Sequence, residues 1–170
     1  MNADAMIRRL AVLPGALSSM LRALTEEEHR WKPPAGAWSI LEIVRHLVDE
    51  EVEDFRGRMR AILEGTPMGR IDPEGWAKSR GYNEGDPSEA LAALTRERGA
   101  SLAWLESLHE PDWSLTARTP GGFDLRAGEL LGAWAAHDAL HLRQIAKRLW
   151  ELAGRDADPY STQYAGEWKA

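Results

Sequence analysis

The chain has 170 residues, 44% of them hydrophobic, with a formal charge of −6 at pH 7 and no cysteine. This suits one domain over residues 1–170, and it excludes disulfides, thiolate ligands and a protein thiol nucleophile, so any metal must be held by His, Asp or Glu. No run of about 18 apolar residues is present to span a membrane, no continuous apolar block marks a signal peptide, and the basic residues are dispersed among acids rather than gathered into a stripe for nucleic acid, so a cytoplasmic protein without nucleic-acid or membrane partners is expected.

The first apolar stripe runs through Met6, Leu10, Leu13, Leu17, Met20, Leu21 and Leu24. Pro14 has no N–H and crowds the turn before it, which predicts a kink or two abutting helices. Residues 26–38, EEEHRWKPPAGAW, read as a loop, with His29 a solvated side chain among charges. Ser39 and Glu42 then have the spacing of a capping box, and Trp38 and Ile43 that of a hydrophobic staple, so a second helix starts here. Its apolar face is Ile40, Ile43, Val44, Leu47, Val48, Phe55 and Ile62. At about 100° per residue His46 lies roughly 130° from the centre of that face, which on period alone makes it a boundary or solvated histidine. Glu42, Asp49, Glu50, Glu51, Glu53 and Asp54 read as a mostly solvated acidic side. Glu50, one turn past His46 and nearer the apolar stripe, is the exception.

Residues 65–86 hold five glycines and two prolines without a period. Such connections serve as lids or mobile loops, here pinned by Trp76 and Tyr82. Asp86-Pro87-Ser88-Glu89 starts a third helix. Its stripe of Leu91, Leu94, Leu102 and Leu105 includes Arg98. An inward arginine wants a carboxylate or an anionic ligand; alternatively it buries its stem and lifts its head to solvent. His109 closes that helix, Pro120-Gly121-Gly122 makes a turn, and Asp124 is placed to cap the last helix.

Residues 125–152 have the clearest helical period in the chain, through Leu130, Trp134, His137, His141, Ile145 and Leu152, with Asp138 at the stripe's edge. Two histidines four apart stack one turn above the other on an apolar face. They are either core histidines bonded to backbone or carboxylate, or a pair whose nitrogens both reach one ion at about 2.0–2.1 Å. No glutamate lies inside the pair, so this is not the zinc-protease pattern. Beyond it, Tyr160, Tyr164 and Trp168 at i, i+4 and i+8 are expected to pack back on the rest. Four helical stretches without an alternating strand pattern give an all-α, up-and-down four-helix bundle.

The run W-S-I-L-E-I-V-R-H-L-V-D-E-E at 38–51, followed by H-D-A-L-H-L-R-Q-I at 137–145, resembles the DinB/YfiT superfamily of metal-binding four-helix bundles. The resemblance covers nearly the whole chain, including the W-K-P-P-A-G-A-W lead-in and the R-x-R at 96–98. It implies that His46, His137 and His141 hold a divalent metal, Zn²⁺ or Ni²⁺, and that the protein is a homodimer. It also implies a metal-dependent enzyme acting on a small molecule by transfer of a low-molecular-weight thiol. The alternatives are a metal-dependent hydrolase that activates water, or a non-catalytic dimeric metal-binding stress protein. On the enzyme reading Glu50 is catalytic and takes a proton, Asp138 orients a ligand imidazole, Trp134 walls the substrate pocket, and Arg98 holds an anionic substrate group.

Overall fold

In the computed structural model, which describes residues 1–169, the first stripe forms two helices, α1 (Ala3–Leu10) and α2 (Leu13–Leu21). Pro14 stands at the start of α2, where its missing N–H costs nothing. The Leu10 carbonyl, which residue 14 would have served in a continuous helix, accepts instead from Arg98 Nη1 at 2.8 Å. A one-turn helix, α3 (Glu26–Arg30), stands where a loop was expected. Thr25 and Glu28 form a capping box, with Thr25 N–H donating to Glu28 Oε2 at 2.6 Å, and this local signature supports the turn. The same turn carries His29 inward, so it is buried rather than solvated, and burial lowers its pKa.

The next helix, α4 (Ile40–Asp49), starts at the expected box. Glu42 N–H donates to Ser39 Oγ at 3.1 Å, and Ser39 N–H donates to Glu42 Oε2 at 2.8 Å. The helix continues unbroken through a π-helical segment, Glu50–Arg56, into α5 (Gly57–Glu64). Hydrogen bonds in such a segment reach back five residues, as Gly57 N–H does to the Val52 carbonyl. A Cβ at position 57 would lie 3.1 Å from that oxygen, so glycine suits the exit from the bulge. The widened turn also moves the buried phase by one residue. Met59 and Ile62 enter the core while Arg58 stays at its edge.

The 65–86 connection is more ordered than its composition suggests. It contains α6 (Pro73–Ser79), where Asp72 Oδ1 accepts from Gly75 N–H at 3.1 Å, and a 3₁₀ turn at Tyr82–Glu84. Tyr82 does pin it: the ring is buried and its hydroxyl donates to Asp49. Arg80 pairs with Asp49 at 2.7 Å and Glu53 at 2.5 Å, and lies 4.3 Å from the Trp76 ring centre. Arg45 Nη1 donates to the Gly81 carbonyl at 2.9 Å. The connection is therefore a strap along the acid-rich flank of α4.

The third long helix, α7 (Pro87–Ser107), starts with Asp86 Oδ1 accepting from Glu89 N–H at 2.7 Å, as expected. The turn at Pro120 lies within an antiparallel hairpin, β1 (Thr116–Arg118) and β2 (Asp124–Arg126). Asp124 sits in β2 opposite Arg118, so α8 (Ala127–Asp156) opens on Arg126, whose N–H donates to Glu129 Oε2 at 2.9 Å, and not on Asp124. Three residues a side are too few for a period of two to be read. After α8, Trp168 packs on Trp150 with ring centres 6.2 Å apart, whereas Tyr160 and Tyr164 are exposed. The expected aromatic side does not form.

The four columns are α1–α2, α4–π–α5, α7 and α8, and they make the expected all-α bundle. α1 packs on α8, α2 on α7, and α4 on both α7 and α8. Two apolar clusters fill it, one around Leu17, Ile43, Leu47, Leu94 and Ile145, the other around Leu10, Phe55, Met59, Leu105 and Trp134. On three columns a charged residue separates them: Glu51 between Leu47 and Phe55, Arg98 between Leu94 and Leu105, and Asp138 between Trp134 and Ile145. Arg98 grips Asp138 with two bonds of 2.6 and 2.9 Å, pairs with Glu51 at 2.8 Å, and is 1% exposed. Trp134 Nε1 donates to Glu51 at 3.0 Å. The acidic side expected on the second helix is thus only partly solvated: Glu42, Glu50 and Glu51 are buried. Glu51 lies one turn past Leu47, on the apolar stripe, and its phase outweighs its residue type once a cation faces it. No helix among the described residues is long and apolar enough to cross a membrane.

Candidate metal centre

His46 lies in the last turn of α4, and His137 and His141 lie on successive turns of α8. The bundle brings them together, with one ring nitrogen of each within 4.8 Å of the others. His46 is buried and is not the solvated boundary residue its period suggests. The Nε2 atoms of His137 and His141 are 3.0 Å apart. The amide oxygen of Gln144 lies 2.8 Å from His141 Nδ1 and can only accept, so Nδ1 carries the proton and Nε2 keeps its lone pair. Trp38 meets His46 edge-on, with ring centres 4.9 Å apart, and Phe55 lies 4.9 Å from His137.

The cluster fits a divalent ion. A tetrahedral ion about 2.0–2.1 Å from each nitrogen would set the nitrogens about 3.4 Å apart, and here His137 and His141 stand at 3.0 Å with all three nitrogens within 4.8 Å. His46 Nδ1 is buried without a hydrogen-bond partner. An unmet polar atom of this sort costs about 1–3 kcal/mol, which coordination of the ring can offset. All three imidazoles are held neutral, the state that binds metal. Burial, then His141, pushes His46 down to about 3. Burial, then His141, His46 and Arg98, does the same to His137, again to about 3. Burial also lowers His141.

This fixes the sign of a pH effect in metal-free protein. The unfolded chain takes up protons at the ordinary imidazole pKa of about 6.5, whereas the folded chain resists them. The stability these groups contribute is complete above about pH 6.5 and is lost on acidification, at about 1.4 kcal/mol per pH unit for each of His46 and His137. Glu50 acts oppositely. Burial, then Asp54, raises it from 4.5 to about 8, so its ionisation costs stability as pH rises through that range. Chelator-treated protein should therefore have its highest melting temperature near about pH 6.5 and melt sharply earlier at about pH 5. A melting temperature unchanged between those two values would contradict neutral, buried histidines.

The remaining expected site residues fall into two groups. Glu50 is buried one turn past His46, with Oε1 unpartnered, but it is not a member of the three-histidine cluster. Asp138 turns its carboxylate to Arg98 rather than to a ligand imidazole. Arg98 ends between Asp138, Glu51 and the Leu10 carbonyl, so its anionic partners are the protein's own carboxylates and not a substrate. Trp134 is fully buried, stacked on Phe55 with ring centres 5.4 Å apart. It backs the centre from one layer below, and Phe55 forms the wall. Gln144 was missed, although a polar side chain three residues after His141 is the spacing at which a supporting group meets a ligand.

The DinB superfamily pattern matches residues 9–145. The chain belongs to the DinB superfamily. A Bacillus licheniformis relative is 28% identical over 134 residues, 78% of this chain and 76% of that protein. YfiT of Bacillus subtilis is 24% identical over 146 residues, 85% and 82% of the two chains. Both bear the name "Putative metal-dependent hydrolase". The solved structure of YfiT, described as an unusual four-helix bundle topology, superposes with a TM-score of 0.79 at 21% identity, over 89% of this chain and 87% of that one. The DinB-like fold is thus common to both, with the histidine cluster of this chain on α4 and α8 of the shared bundle.

Proposed function

We propose that this chain is a metal-dependent enzyme acting on a small molecule, with His46, His137 and His141 as ligands to one divalent ion, Zn²⁺ or Ni²⁺. The observation that carries this reading is the convergence of three neutral imidazole nitrogens from two helices. When bound, the ion would supply Lewis acidity at a position the protein leaves to a small molecule. Gln144 holds His141 in the coordinating tautomer. Phe55 and Trp38 keep water from the flanks of the rings. Glu50 is assigned to proton transfer, since a buried carboxyl with a pKa of about 8 can hold or accept a proton near neutrality. His137 and His141 are half-buried, which leaves the centre reachable from solvent.

Transfer of a low-molecular-weight thiol is the first reaction we assign. Three neutral ligands leave the ion's charge uncompensated, which favours a thiolate, and a chain without cysteine must receive its sulfur from a second substrate. Hydrolysis is the second reading, favoured by the names its relatives carry. We take residues 1–170 as one domain that works as a homodimer in the cytoplasm. The test incubates metal-loaded protein with an electrophilic dye and with activated esters, with and without a panel of small thiols, beside the His137→Ala protein. Conjugation that needs both thiol and His137 supports transfer. Ester cleavage without thiol, lost in the variant, supports hydrolysis. Turnover that is equal in the variant rejects the metal-enzyme reading.

A further inference from the structure

On the flank of α8 next to the histidines lies a groove of about 280 Å³, lined by Leu140, Arg143, Gln144, Lys147 and Trp168. The chain after α8 supplies one wall, since it folds back to set Trp168 against Trp150. Leu140, 62% exposed, supplies a second apolar surface. The polar lining consists of donors. The salt bridges in this part of α8 join Arg148 to Glu151 and Arg155 to Asp156, leaving Arg143 and Lys147 without an ion-pair partner among the described residues. Gln144 belongs to both sites: its amide oxygen accepts the hydrogen bond from His141 Nδ1–H, so its amide N–H groups remain for the groove.

We propose that this groove binds a small organic anion, a carboxylate or similar group on an apolar body, and that it is the substrate subsite beside the metal centre. A guanidinium, an ammonium and an amide NH₂ match an anion, and an indole and a leucine match the body that carries it. Two neighbouring cations without an ion-pair partner favour a charged ligand over its neutral analogue. Gln144 places such a ligand one side chain away from His141. The word substrate rests on the metal-enzyme reading, whereas the groove's preference for anions does not.

The test titrates 2-naphthoate into ¹⁵N-labelled, chelator-treated protein and follows the indole N–H of Trp168, assigned through Trp168→Phe. The expected result is a saturable shift at Trp168. The uncharged analogue 2-naphthamide should bind about tenfold more weakly, and Arg143→Gln with Lys147→Gln should bring naphthoate down to the same level. Arg143 is exposed and Lys147 half-buried, and neither forms an ion pair among the described residues, so the double variant should keep its fold, which the unchanged remainder of the spectrum reports. Equal binding of the two naphthalenes, no saturable shift, or full binding in the double variant would each overturn the proposal. Zinc titrations on the same protein separate the two readings. Naphthoate binding without zinc uptake removes the metal centre and keeps the groove; zinc uptake without naphthoate binding does the reverse.

Discussion

Alanine at His46, His137 or His141 abolishes stoichiometric binding of a divalent metal, while His109→Ala leaves it intact. Each ligand supplies one of three nitrogens that converge within 4.8 Å, and two nitrogens cannot close the site. The loss should exceed the roughly 10–100-fold that removing a supporting hydrogen bond costs, which is the effect expected for Gln144→Leu. His29→Ala is an informative control. It removes a buried imidazole that is not a member of the three-histidine cluster, so the melting temperature falls while metal occupancy stays near that of the wild type. Elemental analysis of untagged protein, with calorimetric titration of Zn²⁺ and Ni²⁺, measures all six variants. Full occupancy in any one of the three ligand variants would remove that histidine from the site, and full occupancy in all three would remove the site.

Arg98→Met lowers stability by about 3–5 kcal/mol, the cost of leaving buried carboxylates without their cation. Glu51 is 1% exposed and Asp138 5%, so neither can turn to water when the guanidinium is gone. The Leu10 carbonyl loses its donor as well. Arg98→Lys should recover only part of the loss, because one ammonium cannot reproduce the two-pronged grip on Asp138 together with the bonds to Glu51 and Leu10. The triple variant Arg98→Met, Glu51→Gln, Asp138→Asn should be more stable than Arg98→Met alone, since it removes the stranded charges. Urea denaturation at neutral pH measures each. An Arg98→Met protein within about 0.5 kcal/mol of the wild type would show that the polar layer does not hold the bundle together, because exposed substitutions lie within that range.

The features legible in the sequence are those whose causes lie within a few residues. The helix starts at Ser39 and Asp86 are hydrogen bonds across three positions, and the break at Pro14 is a missing N–H. The facing of His137 and His141 on α8 is a matter of period alone, and so is the four-helix fold class. Even the underestimated α3 had a local cause in Thr25 and Glu28. The tertiary structure decided what depends on partners distant in the chain. The apolar stripe places position 51 inward, but whether a carboxylate there is tolerated turns on the cation from α7 that faces it, which no neighbour in its own helix reveals. His46 reads as peripheral along its own helix and becomes central only when α8 lies beside it. The π-helical segment between α4 and α5 shifts the buried phase by one residue, a change that a fixed 100° step cannot anticipate. Arg98 offered a choice of carboxylate, ligand or solvent, and the bundle chose Asp138 and Glu51, because a charge at that depth is tolerated only where opposite charges meet it.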